Sequence, residues 1–225
     1  MTNKNIFVAC DISGQKEILD LLELIHEDIS GIKIGLQYIT QRSPDEIREL
    51  SKFKKPIFYD GKFFDIKNTL IESVKSLKNL NVSYATVHLL NGLDALKAAN
   101  RAAQEINVNL LGVSVLTSFK DEDLKSLGFN SKVENQVKRL IKIAMKANLY
   151  GVICSPLEVK LIKEISQDLK CFTPGIRVGK AKDDQKRTMN ANEAIKAGSD
   201  YLIIGRPITE GNPKENIKRI LSSID

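Results

Sequence analysis

Charged residues of alternating sign, Asp60, Lys62, Asp65 and Lys67, crowd into FYDGKFFDIKNT at 58 to 69, directly after an apolar run. Charge is costly to bury, so the cluster is either a solvated turn or a site whose charges tolerate burial by pairing. Asp11 at the end of IFVACDI and Lys33 within GIKIGL join it if their runs are neighbouring strands. With parallel strands about 4.8 Å apart, and residues i and i+2 roughly 6 to 7 Å apart on one face, Lys33, Asp60 and Lys62 reach one another. Opposite charges about 4 Å apart attract by about 4 kcal/mol at an effective dielectric near 20, which keeps lysines protonated and carboxylates ionised where water is excluded. An ammonium fixed beside a carboxylate stabilises negative charge developing on a substrate carbon and then delivers a proton to it. That is acid chemistry at carbon needing no cofactor and no metal; a divalent ion would want converging oxygen or imidazole ligands, and Lys33 stands where another ligand would be needed. Asp65, just past the strand, either returns to this cluster or reaches a neighbouring subunit, and the sequence leaves both open.

Two further stretches have the chemistry of anion grips. TPGIR at 173 to 177 and IIGRP at 203 to 207 each follow an apolar run. Gly205 lets backbone amides approach, and the Arg206 guanidinium chelates phosphate oxygens as a fork. Between them GIRVGKAKDDQKRTMN, 175 to 190, is too polar for a strand and reads as a functional loop. His88, at the end of a strand-like run, reads as structural or at most as lining a pocket. His26 falls on a surface helix, and Tyr59 alternates away from Asp60 to pack against helices.

Positioning these groups needs a repeating scaffold. Apolar runs of strand length occur at 6–12, 31–36, 56–60, 84–90, 109–117, 151–155, 170–174 and 201–205. Between them lie stretches with helical apolar spacing, including 15–28, 68–79, 92–106, 133–147 and 213–223. Strand then helix, repeated eight times with near-continuous apolar strands, predicts an α/β fold of the (β/α)8 TIM barrel type. The length of 225 residues fits one such barrel, so residues 1–225 are expected to form a single domain. Catalytic residues of that architecture sit at the C-terminal strand ends, and phosphate sits after the seventh and eighth strands, where both grips fall. An open dinucleotide-binding sheet fits less well, since DISGQ after the first strand has no G-x-G-x-x-G.

Composition narrows the partners. With 42% hydrophobic residues the chain has the apolar surface for a core. The start MTNKNIFVACDISG has no signal-peptide pattern, and no run approaches the roughly 18 apolar residues of a membrane span, so a cytoplasmic protein with no membrane partner is expected. Cys10, Cys154 and Cys171, each in an apolar run, read as reduced core thiols. The net charge of +6 is spread over amphipathic helices and comes with no nucleic-acid motif, so it points to no nucleic acid but helps draw in a small anion.

Taken together, these residues resemble the orotidine 5'-monophosphate decarboxylase family over nearly the whole chain. The family's Asp-x-Lys-x-x-Asp-Ile-x-Asn-Thr string reads here as Asp60, Lys62, Asp65, Ile66, Asn68 and Thr69. Asp11 of ACD, Lys33 of KIG, Thr117 and Ser118 of SVLTS, Arg177 of TPGIR, Gln185 of DDQKR, and Gly205 and Arg206 of IGRP follow in family order. The resemblance implies decarboxylation of orotidine 5'-monophosphate to uridine 5'-monophosphate in de novo pyrimidine biosynthesis, without cofactor or metal. It implies that Lys62 protonates C6 as carbon dioxide leaves, that Asp60 crowds the departing carboxylate, and that Lys33 and Asp65 hold the charge network. Asp11 and Lys33 would bind ribose hydroxyls, Thr117 and Ser118 the pyrimidine region, and Gln185, Gly205 and Arg206 the phosphate, with Arg177 supporting a loop at 175 to 190 that closes over substrate. It further implies a homodimer in which Asp65 and Thr69 enter the partner's site. The chain departs from the family at Gly61, Phe64 and Lys67, where an apolar residue, His and Pro are more usual, and it lacks a Pro after Thr188. A related sugar-phosphate barrel, a keto-gulonate-phosphate decarboxylase or hexulose-phosphate synthase, shares the Asp-x-Lys-x-x-Asp string. By resemblance it carries an acid where Lys33 stands and uses magnesium, which Lys33 would repel. A non-catalytic phosphate-binding barrel, or a basic protein on nucleic acid, would not need Lys62 buried beside two carboxylates.

Overall fold

Runs of Ile, Val and Phe too short for helices, each followed by an amphipathic stretch, satisfy their backbone groups most readily by parallel pairing under a helical cover. The computed structural model describes residues 5–177 and 188–224. Its strands are β1 (Ile6–Ala9), β2 (Gly31–Ile34), β3 (Ile57–Phe63), β4 (Tyr84–His88), β5 (Asn109–Val113), β6 (Gly151–Ile153), β7 (Lys170–Thr173) and β8 (Tyr201–Ile204). They pair in chain order, all parallel, and β8 returns to β1, which closes the (β/α)8 barrel. Each of the eight predicted runs coincides with a strand, and β3 continues past the end of its run at 56–60.

The predicted helices are present as Gln15–Ile25, Lys67–Lys75, Leu93–Glu105, Val133–Lys146 and Pro213–Ser222. The ends of the first two stretches tighten into 3-10 turns at His26–Asp28 and Ser76–Asn79. Val133–Lys146 buries Val137, Leu140, Ile141 and Ala144, the helical stripe that faces the sheet. Shorter helices such as Val159–Ile165 and Ala191–Lys196 also occur, the second begun by Asn190, whose side chain accepts the Glu193 N–H at 2.8 Å. Asn190, together with a bridge between Ile176 and Met189, fixes the chain after Thr188 without the usual proline.

Inside the barrel, side chains alternate in layers. Phe7, Phe58, Leu111 and Phe172 fill the lower layer with Tyr84 and Tyr201. The Phe7 ring stands edge-on to Tyr84 and to Tyr201, each with centroids 5.6 Å apart. Burial of Phe7, Phe58, Leu111 and Phe172 stabilises the fold by about 1.5–3 kcal/mol for each side chain. Above this aromatic floor the inward positions turn polar. Cys10, Cys154 and Cys171 are free and buried, and burial, with Asp11 next in chain, pushes the Cys10 thiol up to about 12 despite nearby Lys33. No described helix is long and apolar enough to cross a membrane.

Candidate active site

The polar layer sits where β1, β2 and β3 end. Asp11 follows β1, Lys33 is the third residue of β2, and Asp60 and Lys62 lie on β3. Pairing of Ala9 with Lys33 and of Lys33 with Phe58 turns the inward positions of these strands toward one another. The Lys33 ammonium lies 3.2 Å from Asp11 Oδ2 and 3.2 Å from Asp60 Oδ2, and the Lys62 ammonium lies 2.8 Å from the same Asp60 oxygen. Charge therefore alternates in a ladder, Asp11, Lys33, Asp60, Lys62. Lys33 is 9% and Asp60 7% exposed, whereas the Lys62 and Asp11 side chains are 34% and 46% exposed at the mouth.

Burial opposes both inner charges, but pairing wins. The Lys33 pKa is raised because Asp60 and Asp11 outweigh its desolvation. Desolvation likewise pushes the Asp60 carboxyl up, yet the two lysines and hydrogen bonds from Lys62 and Thr86 hold it below the usual carboxylate range. Both groups are charged at neutral pH, the state that electrostatic catalysis requires.

The local backbone differs from a regular strand. Tyr59 pairs with Ala85 and Phe63 with Val87, so four steps along β3 match two along β4. This bulge extends β3 beyond the predicted run at 56–60 and re-aims the side chains along it, and the charged ends of Asp60 and Lys62 meet at 2.8 Å. Lys62 takes a left-handed backbone with φ 47°, which costs a side-chain-bearing residue about 1–2 kcal/mol. Gly61 suits the bend for a packing reason. Tyr59 and Phe63 stack across it at 5.7 Å, and a Cβ at 61 would lie 2.7 Å from the Tyr59 ring. Gly35 plays a similar part inside, since a Cβ there would collide with the Asp11 carboxylate and stand 2.8 Å from the Lys33 ammonium.

A cavity of about 740 Å³ opens over the ladder. Asp11, Lys33, Asp60 and Lys62 line one side, and Thr117, Arg177, Gly205 and Arg206 also border it. Its lining carries four cationic side chains, Lys33, Lys62, Arg177 and Arg206, against the two carboxylates, so its field favours an anion. Ser118 is exposed and outside the lining. Gln185 lies outside the described residues, as do residues 178–187 of the stretch read as a functional loop. Gln37, in the short helix Leu36–Ile39 after β2, borders the cavity and was not singled out in the sequence, which gives it no motif.

Asp65 does not return to the cluster within its own chain. It is exposed, its carboxylate accepts the Ile66 N–H at 2.7 Å, and its own N–H donates to Asn91 Oδ1 at 3.1 Å. Asn91 also donates to the carbonyls of Phe63 and His88 at 3.0 and 2.7 Å, fastening this turn to the end of β4. Thr69 is exposed on the helix Lys67–Lys75. At the departures, Phe64 packs its ring 5.3 Å from His88, and Lys67 pairs with Asp94 at 2.7 Å. His88 is outside the main cavity and lines an adjoining apolar pocket. Its Nδ1 accepts the Leu90 N–H at 3.3 Å, and burial, then Lys62, lower its pKa.

Comparison with known proteins follows the same lines. The model of the orotidine 5'-phosphate decarboxylase / HUMPS family matches residues 4–220. The orotidine 5'-phosphate decarboxylase of Wolbachia pipientis subsp. Culex pipiens is 40% identical over 221 residues, covering 97% of this chain and 98% of the relative. That of Ehrlichia canis is 37% identical over 222 residues, with 98% and 97% covered. Among solved structures, the orotidine 5'-phosphate decarboxylase of Lactobacillus acidophilus superposes with a TM-score of 0.85 at 30% identity, covering 98% of both chains.

Proposed function

The chain belongs to the orotidine 5'-phosphate decarboxylase / HUMPS family, and from that premise we propose that it converts orotidine 5'-monophosphate to uridine 5'-monophosphate in pyrimidine biosynthesis. The observation that carries this reading is the ladder of Asp11, Lys33, Asp60 and Lys62 beneath a cationic cavity. The phosphate lies toward Arg206 and Gly205, with Arg177 beside it, and the pyrimidine lies toward Thr117 and the ladder. Asp60 faces the substrate carboxylate, and its negative charge favours departure. The C6–carboxylate bond breaks, carbon dioxide leaves, the electron pair stays on C6, and Lys62 gives C6 a proton that solvent later restores. Lys33 keeps Asp60 ionised and Lys62 poised, while Asp11 and Lys33 hold ribose hydroxyls. Remote binding energy from the phosphate holds the reacting carbon against the ladder.

A second copy of the chain supplies Asp65 and Thr69 across a dimer interface in this reading. Its support is the turn itself, where exposed Phe64 and Ile66, 61% and 75% accessible, flank Asp65. Residues 1–225 act as one domain, and three buried free thiols suit a cytoplasmic setting. The sugar-phosphate alternative would set a magnesium ion where the Lys33 ammonium bridges Asp11 and Asp60, and that cation repels it.

The test is the fall in ultraviolet absorbance of orotidylate with a chelator present. Wild-type protein turns over, and Lys62→Ala retains the fold with nearly all turnover lost. Wild-type turnover in Lys62→Ala would remove the proton-donor assignment, and an inactive wild type would remove the function.

A further inference from the structure

Thr86 is fully buried at the middle of β4, with no exposed surface. Its Oγ1 accepts the backbone N–H of Lys62 at 2.8 Å and lies 2.9 Å from Asp60 Oδ1. The directions are fixed by chemistry. An amide N–H only donates and an ionised carboxylate only accepts, so the Thr86 hydroxyl takes the hydrogen from Lys62 and gives its own to Asp60. One hydroxyl thus joins the backbone of one charged residue to the side chain of the other.

The bulge explains why a single residue serves both. Between the Tyr59–Ala85 and Phe63–Val87 pairs, Asp60, Gly61 and Lys62 face Thr86 alone. The Lys62 N–H therefore lacks the strand partner a regular ladder would give it, and Thr86 replaces that partner. The same contact holds Lys62 in its left-handed conformation, which aims its ammonium at Asp60 Oδ2, while Oδ1 is anchored by Thr86. Both carboxylate oxygens are thereby fixed, with the two ammonium groups on one and the hydroxyl on the other.

We propose that Thr86 is a positioning residue for the decarboxylation, setting the Asp60–Lys62 geometry through its hydroxyl. This rests on the function proposed above. Thr86 borders no part of the cavity and does not touch substrate; its effect passes through its two neighbours.

Two variants separate the hydroxyl from the space it fills. Thr86→Val keeps the shape and removes the hydroxyl, leaving a buried carboxylate oxygen and a backbone N–H without their partner. Thr86→Ser keeps the hydroxyl and removes a methyl. Turnover of orotidylate by the wild type comes first, because its absence overturns the function and leaves the geometry of Thr86 a separate matter. With the wild type active, kcat of Thr86→Val is expected to fall by about 10- to 100-fold, the range for losing a hydrogen bond to a charged group. KM should stay within about twofold, because the phosphate contacts are remote from β4. Thr86→Ser should keep kcat within about threefold of wild type. The inference is overturned if folded Thr86→Val keeps wild-type kcat, or if its loss appears in KM alone. It is overturned equally if folded Thr86→Ser loses activity by tenfold or more, since the hydroxyl is then not the active element. Should Thr86→Val fail to fold, the serine variant still decides.

Discussion

Replacing Lys33 by Met removes one of the two cations that hold Asp60 while keeping the length of the side chain. At 3.2 Å and an effective dielectric near 20, the pair attracts by about 5 kcal/mol. Both groups are more than nine-tenths buried, and removing one partner of such a pair costs about 3–5 kcal/mol, because the other charge is left without compensation. Asp60 keeps Lys62 at 2.8 Å and the Thr86 hydroxyl at 2.9 Å, so the lower end applies, about 3 kcal/mol. Expressed in the transition state, that is a loss of about 100-fold in turnover. The sign of the pH effect follows from the depressed Asp60 pKa. The folded state gains stability from this group above its unfolded pKa, about 3.9, and loses that contribution as pH falls through the folded value. With Lys33 gone the depression shrinks, so acid unfolding and the acid limb of the rate profile both move to higher pH. The assay is the loss of orotidylate absorbance over a pH series from about 4 to about 9, with urea unfolding at each pH. An unmoved acid limb together with turnover within about threefold of wild type would show that Lys33 does not hold the Asp60 charge.

Two further expectations follow from the surroundings of the ladder. Because burial, then Lys62, depress the His88 pKa, its ring resonances should titrate below about 6.5 and move upward in Lys62→Ala. Stability from neutral His88 is present above that unfolded value and is lost as pH falls through the folded one; proton NMR reads this directly, His26→Asn assigning the two histidines, and an unchanged titration in Lys62→Ala contradicts it. Gly61→Ala should destabilise the fold by about 1–3 kcal/mol in urea unfolding, through the collision with Tyr59. The effect should shrink in a Tyr59→Ala background, and a stabilised Gly61→Ala would refute the packing argument.

Much of this architecture was legible in the sequence because its signals are strong and local. Eight apolar runs separated by helical spacing point to a parallel sheet covered on both faces, and eight such units within 225 residues fit a closed barrel better than an open doubly wound sheet. Asp11, Lys33 and Asp60 could be placed together from strand order alone, because side chains on adjacent inner positions must meet. Gly35 and Gln37 carry no sequence signal, since a cradle defined by an absent side chain and a lone amide in a four-residue helix leave no pattern in composition or periodicity. Asp65 could not be assigned to its own cluster or to another subunit because it lies beyond the last paired residue. Its position depends on Asn91, 26 residues further on, which holds the turn through contacts that spacing does not encode.

The contact between Asp60 and Lys62 shows how a correct alignment can hide the reason for it. Period-two alternation puts both side chains on the inner face, roughly 6 to 7 Å apart along an extended strand, a separation that the long lysine side chain spans to make the 2.8 Å contact. What alternation does not show is the bulge between them, where β3 advances four residues while β4 advances two. A bulge needs a partner for the amide it displaces, and in a buried layer water does not supply one. A hydroxyl on the neighbouring strand does, and it also serves the carboxylate beside that amide. Thr86 therefore occupies a position where Val, better suited to an apolar strand, would fill the same space and leave both charged residues without their shared anchor.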